Sequence, residues 1–470
     1  MDDLPKIRIV SSYYQAYNQR CRMKQVKLFV GGFKMKLKKM AAAICLSMLT
    51  LSSVVQAERP ANFQDNYQLK EMVVLSRHNI RSPLSGNGSA LGNLTPHAWF
   101  KWTSGPSELS LRGGQLETMM GQYFRQRLVK DGLMTENYLP KDGEMRFYAN
   151  SMQRTIATAQ YFSSGMLPVA NVKIEHKFAP SKMDPVFNPQ LTFVSDAFRS
   201  QAMKEISAMG GAKGLQGIND KLSSQYRTLE KTLDLKDSPM AKKNGFTKFR
   251  NDDLQIMLEV NKEPAMKGSL KLANSASDAF ILQYYEEADT TKAGFGHKLS
   301  QKEWEQVASV KDVYGDVLFT APSVAVNVAH PLLQEMNKEL AQPGRKFTFL
   351  CGHDSNIASV LAALDVEEYS LPNSIEKKTP IGSKLVIEKF AGKDGKEYAA
   401  MSLVYQNTKQ LRDRTELTLD NPPEVFPLQL KGLKANGDGL YLLKDVQQRF
   451  QQAIAAYDKL PQDKAVQKAA

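Results

Sequence analysis

The sequence predicts an α/β protein: a mostly parallel sheet with helices on both faces, plus an inserted helical cap. Three observations carry that expectation. Apolar runs of strand length, Met72-Val-Val-Leu75 and Lys346-Phe-Thr-Phe-Leu-Cys351, lack the polar alternation of a half-exposed sheet. Each ends in a tight polar turn that opens a helical pattern, as βαβ units do. From Asp184 to about Val310 such runs give way to amphipathic stretches rich in Lys, Glu, Gln and Met.

At 470 residues the chain has room for roughly two domains, or for one with a large insertion. Residues 1–34 resemble neither a leader nor a domain and read as an over-long extension, the natural start lying at Met35 or Met40. Residues 35–57 have the basic head, short apolar middle and Val55-Gln-Ala57 end of a cleaved export signal. The apolar run is shorter than the ~20 residues a bilayer span needs, so no stable membrane anchor is expected. A cleaved signal implies a periplasmic protein. Cys351 is then the one cysteine left, which rules out an intramolecular disulfide. Residues 58–183 and 311–470 form the α/β domain, and 184–310 the cap.

Within the mature chain, a polar loop from Ser85 to Ser110 follows the first strand. Leu116, Met119, Met120, Tyr123, Phe124 and Leu128 fall at helical spacing, which predicts a helix over 111–130. Met145–Ala149 is a second strand. Asn150-Ser151 reads as the cap of a helix carrying Gln153 and Arg154 in its first turn. Val172–Phe178 reads as a third strand, and 275–287 as the clearest helix of the insertion. After a helix near 321–340 and the strand ending at Cys351, a helix is expected over 356–364. Strands over 384–390 and 398–405 flank Lys393-Asp-Gly395, a hairpin turn. A strand near 425–430 and a helix over 442–457 close the chain.

The formal net charge of +13 says little about partners. Residues 1–57 hold ten Lys/Arg against two Asp, leaving 52 against 47 in the remainder. No basic stripe with interleaved aromatics is present, so a nucleic-acid partner is not expected.

Chemistry concentrates in Ser76-Arg-His-Asn-Ile-Arg-Ser-Pro83. Arg77, His78 and Arg81 crowd two guanidiniums around one imidazole at a strand's C-terminal end, where open α/β sheets bind ligands. Such crowding is costly unless an anion lies between the charges. Gly352-His353-Asp354-Ser355 repeats the pattern of strand, sharp turn and helix start. Arg154, on the first turn of its helix, can reach the same crevice, where the helix N-terminus favours an anion. Charge clamps, a nucleophile and an acid for the leaving oxygen are what phosphoryl transfer without metal or cofactor requires.

With Arg77-His-Asn-Ile-Arg-Ser-Pro83 and the late His353-Asp354, the chain resembles the histidine acid phosphatases, with Asn79 where that family has Gly. YANSMQRTIATAQ, MDPVFNP, DAFILQYYE and GHDSNIAS are similar to the bacterial glucose-1-phosphatase branch, in the same order from about Tyr67 onward. The resemblance implies that His78 takes the phosphoryl group and Asp354 protonates the leaving alcohol. It implies that Arg77, Arg81, Arg154, His353 and Ser355 bind the phosphate, and that Glu263 contacts the sugar. The expected partner is a small phosphomonoester, with a phytase or a binding protein without turnover as alternatives. Gly86–Gly92 mimics a dinucleotide loop but lies in a polar loop and lacks the following acidic strand end. His97, His176, His297 and His330 show no paired metal-ligand spacing.

Overall fold

The computed structural model describes residues 59–60, 62–84 and 90–463. The expected extension, export signal and most of the Gly86–Gly92 loop lie outside them. Nine strands are used below: β1 (Tyr67–Arg77), β2 (Met145–Ala149), β3 (Gln255–Met257), β4 (Ala265–Lys267), β5 (Phe347–Gly352), β6 (Lys384–Gly392), β7 (Glu397–Tyr405), β8 (Glu424–Pro427) and β9 (Tyr441–Leu442). The longer helices include α1 (Leu111–Lys130), α2 (Gln153–Met166), α3 (Asp196–Ala208), α4 (Ser269–Glu286), α5 (Gln301–Phe319), α6 (Pro322–Leu340), α7 (Asp354–Ala363) and α8 (Leu443–Ala456).

The central sheet runs β2-β5-β1-β6-β7-β8, with β9 on β7. Its two faces are read directly from β1, which is buried on both. Met72 and Val74 pack with Phe124 of α1 and Phe162 of α2; Val73 and Leu75 pack with Leu333 of α6, Ile357 of α7 and Phe450 of α8. Helices therefore cover both faces, as expected for continuous apolar strands. The sheet is parallel only in β2-β5-β1, and the β1–β6, β6–β7, β7–β8 and β7–β9 pairs are antiparallel. The expectation of a mostly parallel sheet thus holds for the strands that carry the site and not for the rest. The short turn after β6 can only double back, whereas a parallel return needs a crossover.

Several boundaries also move. Val172–Phe178 is not a strand; Glu175 alone bridges to Tyr148, at the edge of the sheet. Met152, not Asn150 or Ser151, is the N-cap of α2, without a side-chain bond, because Asn150's side chain is engaged elsewhere. Helix α7 begins at Asp354, two residues earlier than expected. Strand β8 stops at Pro427, which has no N–H to continue a ladder. Residues 184–310 are largely helical but also hold the β3–β4 hairpin, and the expected boundary at Val310 falls inside the unbroken α5. A Ser300/Glu303 capping box starts that helix, so its first turn belongs to the insertion and its last to the site. Helices α3, α4 and α5 share an apolar cluster around Phe198, Phe280 and Trp304.

The close crossing of α1 and α2 aligns the crevice-facing start of α2. It depends on Gly121 and Gly165, where an added Cβ would lie 2.1 Å from the carbonyl oxygens of Phe162 and Thr118 respectively. Gly121→Ala should therefore destabilise the protein by about 1–3 kcal/mol, the usual cost of overpacking. Denaturant unfolding checks this against Gly315→Ala, whose Cβ meets nothing within 4 Å and which should be neutral or slightly stabilising.

Candidate active site

Register puts three strand ends level. Arg77 of β1 pairs with Gly352 of β5, and Ala149 of β2 with Cys351. The next residues are then tied across the strands: the His78 amide donates to the Gly352 carbonyl (3.1 Å), and the Asn150 amide to that of Cys351 (2.9 Å). His78, Asn150 and His353 consequently emerge together. His78, Arg81, Arg154, Glu263, His353, Asp354 and Ser355 all line one cleft of about 400 Å³. A larger cleft of about 620 Å³ adjoins it through Asp316, Ala358 and Lys378 but contains none of those seven.

His78 is 4% exposed. Its Nδ1 lies 2.9 Å from the Asn79 carbonyl oxygen, which can only accept, so Nδ1 carries the proton and Nε2 the lone pair. Burial, then the charges of Arg154 and Arg81, hold its pKa well below the ordinary histidine value. The imidazole is thus neutral and nucleophilic in acidic medium. His353 has the same tautomer for a different reason. The Asp184 amide donates to Asn150 Oδ1 (2.9 Å), which orients Asn150 Nδ2 toward His353 Nε2 at 2.7 Å. An amide nitrogen only donates, so the shorter of the two contacts puts the His353 proton on Nδ1, where it faces Arg154 Nη2, also a donor, at 3.5 Å, two N–H groups that do not bond to each other. The two imidazoles meet edge to face, 5.5 Å between centroids.

The arginines differ in how their charge is met. Arg77, 1% exposed, is locked by Glu376 (2.7 Å) and the Thr379 carbonyl (2.5 Å), with Asp354 3.6 Å away. Arg81 pairs with Asp278 (3.1 Å). Arg154 has only the Ser107 hydroxyl (2.6 Å) and His353 beside it; burial and Arg81 push its pKa down to about 10. The Nε atoms of all three are buried without a hydrogen-bond partner. Unsatisfied charged donors are expensive, and an anion with several acceptor oxygens would relieve that cost.

Asp354 opens α7. Burial alone would raise its pKa, but Lys311 in direct contact with Oδ2, with Arg77 beyond it, holds the carboxyl well below the usual range. Ser355 donates its amide to Asp354 Oδ1 (2.9 Å). Glu263 is exposed at the cleft wall, where partial burial and the Asp354 charge raise its pKa. Lys311, Asp278, Glu376 and Asn150 escaped the sequence reading. Asn150 was legible as a polar residue at a strand end, but the other three sit on long helices or loops with no local motif. His97 and His297 are not isolated: both reach Asp234, at 2.7 and 3.0 Å. Among the described residues, no group of three His, Cys, Asp or Glu is arranged to hold a metal ion.

Residues 68–405 match the histidine phosphatase superfamily, branch 2. The chain belongs to that family. It is 38% identical over 409 residues to a glucose-1-phosphatase of Salmonella typhimurium, covering 86% of this chain and 96% of that protein. A glucose-1-phosphatase of Providencia rettgeri is 35% identical, covering 87% of this chain and 98% of its own. The solved phytase from Citrobacter braakii superposes with a TM-score of 0.76 at 26% identity, covering 82% of this chain and 98% of that one. The family's phosphatase activity accords with a buried imidazole surrounded by guanidiniums.

Because the His78 pKa is depressed, Nε2 takes up a proton only at lower pH. The acidic limb of kcat/KM should therefore lie well below 6.5, the ordinary histidine value. Arg154→Gln removes one of the charges responsible and should move that limb to higher pH, measurable in a pH series of initial rates.

Proposed function

We propose that this histidine acid phosphatase hydrolyses small sugar phosphomonoesters, glucose 1-phosphate foremost, through a phosphohistidine on His78. The observation that carries the reading is the His78 tautomer: a carbonyl-held Nδ1 leaves a nucleophilic Nε2 in a cleft with uncompensated Arg154. The lone pair of Nε2 forms a bond to phosphorus as the bond to the sugar oxygen breaks. The departing electron pair stays on that oxygen, which takes its proton from Asp354. Water then attacks the phosphohistidine, losing a proton to the Asp354 carboxylate, and the P–N bond breaks. Arg77, Arg81, Arg154 and His353 Nδ1–H hold the phosphoryl oxygens, and the Ser355 amide orients Asp354.

Charge in the cleft bears on the substrate. Beyond the arginines it offers Lys311 and Lys378, against Glu263 and Asp278, while burial pushes Asp312 up to about 7 and Asp316 to about 6, so that in acidic medium both are neutral carboxyls. Carboxyl groups suit sugar hydroxyls, and two lysines beyond the arginines are few cations for five further phosphates, which favours a singly phosphorylated sugar over inositol hexakisphosphate. The glucose-1-phosphatase relatives support the same choice, and the phytase neighbour supports the alternative. A binding protein would have no use for Asp354 beside the nucleophile. In this reading residues 184–310 act as the cap, and residues 35–57 send the chain to the periplasm. No helix among the described residues is long and apolar enough to cross a membrane.

Two outcomes test the chemistry. Rapid quench should trap phosphate on wild type at an acid-labile, base-stable linkage that is missing in His78→Ala. Asp354→Asn should lower turnover of glucose 1-phosphate by on the order of 10²–10⁴-fold, the range for a general acid. It should spare phosphorylation by p-nitrophenyl phosphate, whose leaving group needs no proton. Equal losses on the two substrates would sink the assignment.

Specificity is tested separately. Glu263→Ala should lower kcat/KM for glucose 1-phosphate and narrow its advantage over phytate. An unchanged ratio in side-by-side assays would remove Glu263 from the substrate site.

A further inference from the structure

Asp354 is clamped in its anionic form, which is the wrong form for an acid. Two cations do this, and they differ in freedom. Arg77 is fixed by Glu376 and the Thr379 carbonyl. Lys311, on α5, lines the cleft and has Asp354 Oδ2 as its hydrogen-bond partner. Its compact charge ends a flexible four-carbon stem, so it can turn from one anion to another without disturbing the fold.

We propose that Lys311 is the switchable counter-ion of Asp354, pairing with it in the free enzyme and moving to the phosphate when substrate enters. The inference rests on the reading of Asp354 as the leaving-group acid. Facing Asp354 are Lys311 and Tyr314 from α5, Arg77 and His78 at the end of β1, and His353 before α7. Arg154 from α2 and Glu263 from the β3–β4 turn complete the set. The cations favour the carboxylate, and Glu263 opposes it. An incoming phosphate dianion occupies Arg154 and the histidines, attracts Lys311 and repels the carboxylate. Asp354 then takes one proton from solvent. That proton leaves with the sugar oxygen when the P–O bond breaks; the proton that Asp354 then gains from the attacking water returns to solvent as phosphate departs, and the pair reforms. The acid is therefore protonated only in the presence of a substrate.

The test is the pH dependence of kcat/KM, which reports the free enzyme, for wild type, Lys311→Met and Lys311→Arg with glucose 1-phosphate. Removing the cation raises the free-enzyme pKa of Asp354, so the Lys311→Met alkaline limb should move up by about 1–3 pH units. Lys311→Arg, which keeps the charge, should stay near wild type. A Lys311→Met limb at the wild-type position overturns the proposal. If Asp354→Asn still abolishes sugar-phosphate turnover in that case, Asp354 remains the acid and only the role of Lys311 falls. Asp354→Asn without effect on sugar phosphates would overturn both. Should Lys311→Met not fold, calorimetry of inorganic sulfate binding in buffers of different ionisation heat replaces it. Wild type should take up more protons than Asp354→Asn, and equal uptake overturns the proposal.

Discussion

Buried positive charge is the constraint on which the site and its surroundings depend. A guanidinium removed from water must meet an anion or hold its charge at a cost of several kcal/mol. Glu376 meets Arg77 and Asp278 meets Arg81, at 2.7 and 3.1 Å. Arg154 meets a hydroxyl and a neutral ring. The imbalance is local: two arginines are held in place by carboxylates, and the third has no carboxylate in hydrogen-bond contact among the described residues. Burial first, and then the same charges, lower the pKa of His78, so the arrangement that favours an anion also keeps the imidazole neutral.

Beneath the catalytic loop lies a second charge pair, with no exposure at all. Lys384 Nζ contacts both Glu117 oxygens (3.1 and 3.0 Å), Ser76 Oγ (3.1 Å) and the Gly382 carbonyl (3.0 Å). Asn79, where the resemblance expects Gly, donates from Nδ2 to Glu117 (2.8 Å) and accepts the Ile80 amide (2.8 Å). Its own carbonyl sets the His78 tautomer. The added side chain thus ties the orientation of the His78 ring to a fully satisfied buried network, which is the form in which buried polar groups rigidify a structure. Gly382 permits this: its φ is +70°, and a Cβ there would lie 2.5 Å from Asn79 Nδ2.

Much of this was legible in the chain. Met72–Leu75 and the run before Gly352 combine strand length, largely apolar character and a polar turn, and Met145–Ala149, though interrupted by Arg146, ends in the same kind of turn, so strand ends and site residues were found by one signal. The hairpin after 384 was equally plain from its turn. Val172–Phe178 misled because alternating Val and Ile describe a strand's composition without showing a partner for its edge. Val310 misled because the shift in composition marks where the environment changes, and a helix can cross that line intact.

By itself, the sequence determined what is local: the strands, the helix starts behind them, and the clustering of Arg77, His78 and Arg81 on one turn. His353-Asp354 and Arg154 were placed by rule, since parallel strands deliver their C-terminal ends to a common edge. Only the tertiary structure decided the electrostatics. Lys311, Asp278 and Glu376 are more than 40, about 200 and about 300 residues from the partners they neutralise. No periodicity announces a charge pair between distant elements, because its energy depends on a distance in space and on the water excluded around it. The same holds for the histidine tautomers, each set by one neighbouring atom whose position only the folded chain supplies.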